Sequence, residues 1–153
     1  MERKIRIILF DDELIIRKLY GHYFQSKGYE VIKYQNPSLC PLQQTHDCQC
    51  EEQELCTDIM ITDVDMPNIS GLDFIESQVR KGCKIPNIAI MSGVWTESKM
   101  KRAKDLGCKV FEKPIKLSVL TEWLNKCVKR LDQSKNLSNW FLQKEGNHSS
   151  SNN

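Results

Sequence analysis

Apolar residues in this chain arrive in short bursts separated by stretches of helical spacing. Residues 5–10 are apolar apart from Arg6 and read as a buried strand. Residues 13–27 follow, with Leu14, Ile15, Leu19, Tyr23 and Phe24 near helical spacing and Gly28 as a C-terminal stop. The same alternation predicts strands over 29–34, 58–62, 87–91 and 109–112, and helices over 71–80, 97–106 and 118–131. The last helix is built on Leu120, Trp123, Leu124, Cys127 and Leu131. Five short strands that are continuously apolar rather than alternating point to a parallel sheet covered by helices on both faces. From residue 132 onward Ser, Asn, Gln and Lys dominate, so 132–153 reads as a polar tail. Leu137, Trp140 and Phe141 are spaced to form one apolar helical turn that docks on the domain.

Composition narrows this reading. At 153 residues and 40% apolar content, the chain fits one folded domain, with a tail too short to fold alone. The apolar run 7–10 ends at two aspartates, so it is no secretory signal, and the expected location is the cytoplasm. No run is long enough to cross a bilayer. A net charge of +2 hides an asymmetry: nine acids and no Lys or Arg lie between Lys33 and Arg80, whereas 80–131 holds thirteen bases and four acids. Two oppositely charged solvated faces would give this pattern, and so would an acidic site beside a basic docking surface.

Strand ends carry the chemistry. In a parallel sheet all C-terminal strand ends share one edge, and ligands bind in the crevice there. The first strand is followed by Asp11, Asp12 and Glu13, the third by Asp63, the fourth by Ser92 and the fifth by Lys113-Pro114. Any single Asp after a strand is ordinarily a turn or helix cap. Carboxylates, a hydroxyl and an ammonium converging from four strand ends suit a different purpose. Clustered carboxylates favour a hard divalent cation such as Mg²⁺. A carboxylate beside such an ion can attack phosphorus, and a lysine and a hydroxyl can neutralise the transferring oxygens.

The segments 8–13 (Ile-Leu-Phe-Asp-Asp-Glu), 60–67 (Met-Ile-Thr-Asp-Val-Asp-Met-Pro) with Gly71, 91–93 (Met-Ser-Gly) and 111–114 (Phe-Glu-Lys-Pro) resemble, in order and spacing, the response-regulator receiver domain of two-component signalling. The resemblance covers about residues 4–131. It implies a doubly wound, flavodoxin-like α/β fold with a five-stranded sheet in the order 2-1-3-4-5. It further implies that Asp63 is the phosphoacceptor and that Asp12 binds Mg²⁺ directly, with Asp11 acting mainly through water and Asp65 giving its backbone carbonyl. Ser92 would contact the phosphoryl group, Gly93 would leave room for it, and Lys113 would pair with it. The Lys113–Pro114 bond would be cis. The donor would be a sensor histidine kinase or phosphotransfer protein. The output face would be the family's fourth helix, fifth strand and fifth helix, here 97–106, 109–112 and 118–131, with Lys99, Lys101, Arg102 and Lys104 on it. Such a protein is no enzyme beyond its own phosphorylation and dephosphorylation. With no output domain in these residues, it would signal by protein–protein contact or phosphorylation-dependent dimerisation, without binding DNA or membrane.

Two departures stand out. The family's aromatic switch position, three residues before the lysine, is Val110, with Phe111 after it. Asp65 also places a carboxylate near the path of an attacking water, where it would tune the lifetime of the phosphorylated state.

A longer connection between the second and third strands, residues 38–57, carries Cys40, Cys48, Cys50 and Cys56, with His46 among them. Four thiolates can hold Zn²⁺ or an iron–sulfur cluster, and a His can replace one. The spacing lacks paired CxxC knuckles, which leaves a redox-sensing pair or, as the favoured reading, plain reduced thiols on a longer loop. Cys83, Cys108 and Cys127 are scattered, and Cys127 sits on an apolar helix face. Two rival functions use the same residues. A haloacid-dehalogenase-type phosphatase also needs an Asp-x-Asp nucleophile, but on its first strand and with the extra acidic pair after the lysine. A non-switching receiver would act as a metal- or redox-sensitive binding module through the cysteine insert.

Overall fold

The computed structural model describes residues 3–145. Five strands form the central sheet: β1 (Arg6–Phe10), β2 (Glu30–Tyr34), β4 (Ile59–Asp63), β5 (Asn87–Ser92) and β6 (Lys109–Glu112). They are all parallel and ordered β2-β1-β4-β5-β6. Counting only these five, the order is 2-1-3-4-5, as the resemblance implies. β2 lies at the edge, and no site residue follows it. The connecting helices are α1 (Leu14–Ser26), α2 (Gly71–Arg80), α3 (Glu97–Asp105) and α4 (Leu117–Arg130). Ser70 caps α2 by accepting from Asp73 N–H, and Thr96 caps α3 by accepting from Lys99 N–H.

Side-chain alternation explains why the strands look continuously apolar. Ile7, Leu9, Ile59, Ile61, Ala89, Met91 and Phe111 pack on Tyr20 and Phe24 of α1 and on Leu120, Trp123, Leu124 and Cys127 of α4. Their neighbours Ile8, Phe10 and Met60 point the other way, onto Phe74 of α2 and onto Cys40, Leu42 and Cys56. Ile90 continues that face beneath Leu72, Ile75 and Ala103. At the central strands β1, β4 and β5 both faces are dry, so period-two polarity vanishes there.

Between β2 and β4 the chain makes two short 3₁₀ turns, Pro37–Leu39 and Pro41–Gln44, and a two-residue strand, β3 (Glu54–Leu55). The C-terminal segment is not a free tail over its described part. β7 (Asn136–Leu137) pairs in parallel with β3, and α5 (Trp140–Glu145) follows. Asn136 N–H donates to Gln53 O at 2.9 Å and Ser138 N–H to Leu55 O at 2.7 Å. Phe141 is fully buried against Phe10 and Phe74. Leu137, expected in a helical turn with Trp140 and Phe141, is therefore in a strand; ladder bonds to the insert override its local spacing. Residues 146–153 of the expected polar tail lie outside the described residues.

Arg6 clasps these pieces together. It is 3% exposed within β1 and donates to Glu30 Oε1 (2.8 Å), Cys56 O (3.0 Å), Ser138 O (2.7 Å) and Asn139 Oδ1 (2.7 Å). Its guanidinium also lies over the Phe141 ring. The fully buried Asp58 accepts both Nη atoms of Arg3 and the Arg6 backbone N–H. Among the described residues no helix is long and apolar enough to cross a membrane.

Candidate phosphoacceptor site and cysteine cluster

Asp63 is the last residue of β4, and its side chain is almost fully buried. The chain turns sharply after it. Gly71 N–H donates to Val64 O at 2.9 Å, and a Cβ on Gly71 would sit 2.1 Å from the Asp63 carbonyl oxygen, so only glycine lets α2 approach here. Asn68, in the same loop, takes a positive φ of 75°. Lys113 Nζ reaches over from the end of β6, 3.0 Å from Asp63 Oδ2 and 2.9 Å from Asp11 Oδ2. The Lys113–Pro114 peptide bond is cis. Asp11 is fully buried, and its other oxygen accepts from Glu13 N–H at 2.9 Å.

Asp11, Asp12 and Asp63 each bring a carboxylate oxygen within 4.8 Å of the others, with Asp12 the least buried. Hard anionic oxygens at this spacing, on an edge open to solvent at Asp12, fit Mg²⁺. Ser92 ends β5, and its hydroxyl donates to Asp65 Oδ2 (3.2 Å) and Val94 O (3.0 Å). Asp65 also faces Lys99 Nζ at 3.8 Å. Its carboxylate is thus tied to the serine and to α3, a pairing that sequence spacing does not reveal. A Cβ on Gly93 would meet no atom within 4 Å, so the protein itself leaves that spot open.

Burial pushes the Asp63 carboxyl up from an ordinary 3.8 to about 6; the ammonium of Lys113 opposes this and Asp11 adds to it. For Lys113 burial favours loss of the proton, but its two carboxylate partners outweigh that and raise its pKa. Without a divalent cation, protonation of Asp63 favours the folded state. That contribution is fully present below about pH 3.8 and is lost as pH rises through about 6. In EDTA, the unfolding free energy of the wild type relative to Asp63→Asn should therefore fall by about 1–2 kcal/mol between pH 4 and 7, solvent screening trimming the full shift. Urea melts across that range check this, and parallel curves for the two proteins would contradict it.

Val110 is half-buried with the Ile90 and Ala103 cluster. Phe111 lies on the opposite face, edge-on to Trp123, while the Trp95 indole donates to the Phe111 carbonyl at 2.9 Å. The basic run on α3 is largely neutralised within the chain. Arg102 bridges Asp73 and Glu76 of α2, Lys101 pairs with Asp105, and Lys99 faces Asp65.

The insert's cysteines are only partly together. Cys48, Cys50 and Cys56 hold their sulfurs within 4.8 Å of one another, and Cys50 Sγ lies 3.1 Å from Cys56 Sγ. Cys40 is not in that group; it is fully buried beneath the 3₁₀ turns. His46 is exposed and also apart. Cys83, from the turn after α2, lies next to this group: the neighbouring Cys56 and Cys48 thiols lower its pKa, although its sulfur stands outside the set of three and donates to Gln78 Oε1 at 3.3 Å. The expected set of Cys40, Cys48, Cys50 and Cys56 is corrected accordingly: Pro41 starts a new turn that directs Cys40 into the core. The close Cys56 thiol above all, with smaller contributions from Cys48, Trp140 and Ser138, holds Cys50 down to about 6, against its burial. Cys56, as the donor, is raised, and Cys48 is pushed up to about 11, mainly by burial. Burial alone raises Cys108 to about 11 and is the main cause of the same rise at Cys127.

Comparison with known proteins agrees with this architecture. The family model described as response regulator receiver domain matches residues 7–125. The fold is similar to chemotaxis protein CheY4 of Vibrio cholerae, at 22% identity and a TM-score of 0.66, covering 82% of this chain and 99% of that one. It is similar to the non-phosphorylated HemR receiver domain of Leptospira biflexa, at 18% identity and a TM-score of 0.70, covering 84% and 98%. A response regulator receiver protein of Pseudomonas putida matches at 24% identity and a TM-score of 0.65, covering 82% and 99%. No protein of curated function matches the chain. With the sheet order, the acidic strand ends and a family match over most of its length, the chain belongs to the response regulator receiver domain family of two-component signalling.

Proposed function

We propose that this chain is a phosphorylation switch: Asp63 accepts a phosphoryl group from the phosphohistidine of a histidine kinase or phosphotransfer protein. The phosphorus–nitrogen bond of the donor breaks, a bond from phosphorus to an Asp63 carboxylate oxygen forms, and the departing imidazole takes up a proton. The observation that carries this reading is the single ammonium of Lys113 shared between Asp63 and Asp11, with Asp12 beside them. That set supplies a nucleophile, a cation for the phosphoryl oxygens and two further carboxylates. Asp11, Asp12, Asp63 and the Asp65 carbonyl would hold Mg²⁺, which when bound offsets the negative charge gathered at the crevice. Ser92 would release Asp65 and turn its hydroxyl to the incoming phosphoryl oxygens. Asp65, freed from the serine but still near Lys99, would then set how readily water removes the group.

Output would pass through the face made by α3, β6 and α4 to a protein partner. Because Val110 replaces the usual ring and Arg102 is tied to α2, that signal would not run through an inward-swinging aromatic at position 110. Incubation with a small-molecule phosphodonor and Mg²⁺ tests the core of the proposal. The intact mass should rise by one phosphoryl group, in wild type but not in Asp63→Asn, and EDTA should prevent the gain. An equal gain in the variant would place the acceptor elsewhere, and no gain in wild type would favour a non-switching module.

A further inference from the structure

We propose that Cys48, Cys50, Cys56 and Cys83 form a tetrathiolate site for a single Zn²⁺ ion, separate from the acidic crevice. Three of these sulfurs already lie within 4.8 Å of one another. A tetrahedral ion with zinc–sulfur bonds of about 2.3 Å needs its ligand sulfurs about 3.8 Å apart, so small side-chain rotations suffice for these three, and Cys83 would turn from Gln78 to complete the set. The closest pair, Cys50 and Cys56 at 3.1 Å, is well beyond the bonded sulfur–sulfur length of about 2.0 Å. Sulfurs this close suit one ion; in an iron–sulfur cluster the four thiolates are divided among two or more irons, so they do not all stand this close together.

Chain geometry brings the fourth ligand in. Gly82 takes a positive φ of 83°, turning the chain at the end of α2 so that Cys83 faces the insert. Cys48 N–H donates to Lys81 O at 3.0 Å, pinning the two ligand-bearing turns together, and Cys83 N–H donates to Gln78 O at 3.1 Å. A cavity of about 120 Å³ opens onto Cys48, Cys50 and Cys56, giving an ion a way in.

The surroundings suit four thiolates. Lys81 and Lys84 stand on the cavity wall, where their charge offsets the net −2 of Zn²⁺ with four thiolates. The Cys50 backbone N–H lies beside the Cys48 sulfur, and the Ser138 and Trp140 side chains lie beside the Cys50 sulfur, where each favours a thiolate. On binding, each thiol gives its proton to solvent and Cys83 exchanges its hydrogen bond to Gln78 Oε1 for the metal, so affinity weakens as pH falls. No sulfur is oxidised. The ion would join the insert, the turn after α2 and, through Ser138 and Trp140, the C-terminal segment.

The test is elemental analysis of the full chain, purified under reducing conditions without added metal. The same sample is then titrated with Zn²⁺ against a chromophoric chelator, so that metal lost in handling is counted. About one zinc per chain is expected. Cys50→Ser and Cys83→Ser should fall below about a tenth of an equivalent, while Cys40→Ser and Cys127→Ser keep the wild-type value. Co²⁺ in place of zinc should give the intense absorption of tetrahedral thiolate coordination. Failure of the wild type to hold or take up zinc would overturn the site, as would a Cys50–Cys56 disulfide in the reduced preparation. Several irons with sulfide per chain would overturn the single-ion assignment. Full zinc content in Cys83→Ser, or its loss in Cys40→Ser, would overturn the ligand set. Phosphoryl uptake on Asp63 is a separate readout and bears on none of these outcomes.

Discussion

Replacing Lys113 by methionine is expected to slow phosphoryl uptake by about 10²–10³-fold, the usual cost of removing one preorganised group that meets developing charge. Methionine keeps most of the length and apolar stem of lysine but carries no charge. The ammonium sits 2.9 Å from Asp11 Oδ2 and 3.0 Å from Asp63 Oδ2, and only 16% of its side chain is exposed. Two losses therefore coincide. The phosphoryl oxygens lose their cation, and the two buried carboxylates lose the charge that lets both ionise. Asp63, already raised to about 6 by burial, would rise further, so less of it is an anionic nucleophile near neutral pH. The rate of mass gain at fixed phosphodonor and Mg²⁺, measured at pH 7 and again at pH 8.5, separates the two. Part of the deficit should recover at the higher pH, and a variant as fast as wild type at pH 7 would contradict the role given to Lys113.

Arg6→Met should have the largest effect on stability, a loss of about 2–5 kcal/mol. Methionine leaves the buried carbonyls of Cys56 and Ser138 without a donor, each costing about 1–3 kcal/mol. The midpoint of thermal unfolding should drop by about 5–15 °C for a chain of this length. Glu30→Gln serves as a control. The Arg6–Glu30 pair is one bond of several, and the Glu30 side chain is 39% exposed, so its charge is worth only about 0–1 kcal/mol. If Arg6→Met cost no more than that control, the clasp would hold nothing.

Arg6 also shows where sequence reading stops. An Arg within an apolar burst looks like an interruption of the strand, yet its stem is buried and its guanidinium serves three separate segments. The three central strands were legible because each is a run of mainly apolar residues wanted by both faces of the sheet, and the edge strands β2 and β6 because short apolar cores, Val31-Ile32 and Val110-Phe111, sit at the expected spacing. The crevice was legible because parallel strands deliver their ends to one edge, so Asp11, Asp63, Ser92 and Lys113 converge whatever their separation in sequence. The structure moved boundaries by a residue, making Asp63 and Ser92 the last residues of their strands. β3 and β7 were not legible: two residues each show no periodicity, and only backbone bonds between distant segments define them. Cys83 was missed for a related reason. Ligand spacing was sought within one insert, whereas the fourth sulfur we propose arrives from another turn; the Gly82-Cys83 pair at a helix end was the available signal. Asp65 was placed by its neighbour Asp63, but its partners Ser92 and Lys99 lie on other elements.

The β3–β7 ladder and the burial of Phe141 bear on how such domains are cut and recombined. The family match ends at residue 125, and a gene fragment designed to that limit would discard the strand that caps the insert and the ring that closes one face of the sheet. It would leave Arg6 facing solvent where Ser138 and Asn139 had been. Grafting or swapping this module therefore has to carry its chain to at least Leu142. The insert and the C-terminal segment must travel as one inherited piece, since neither completes its hydrogen bonding without the other.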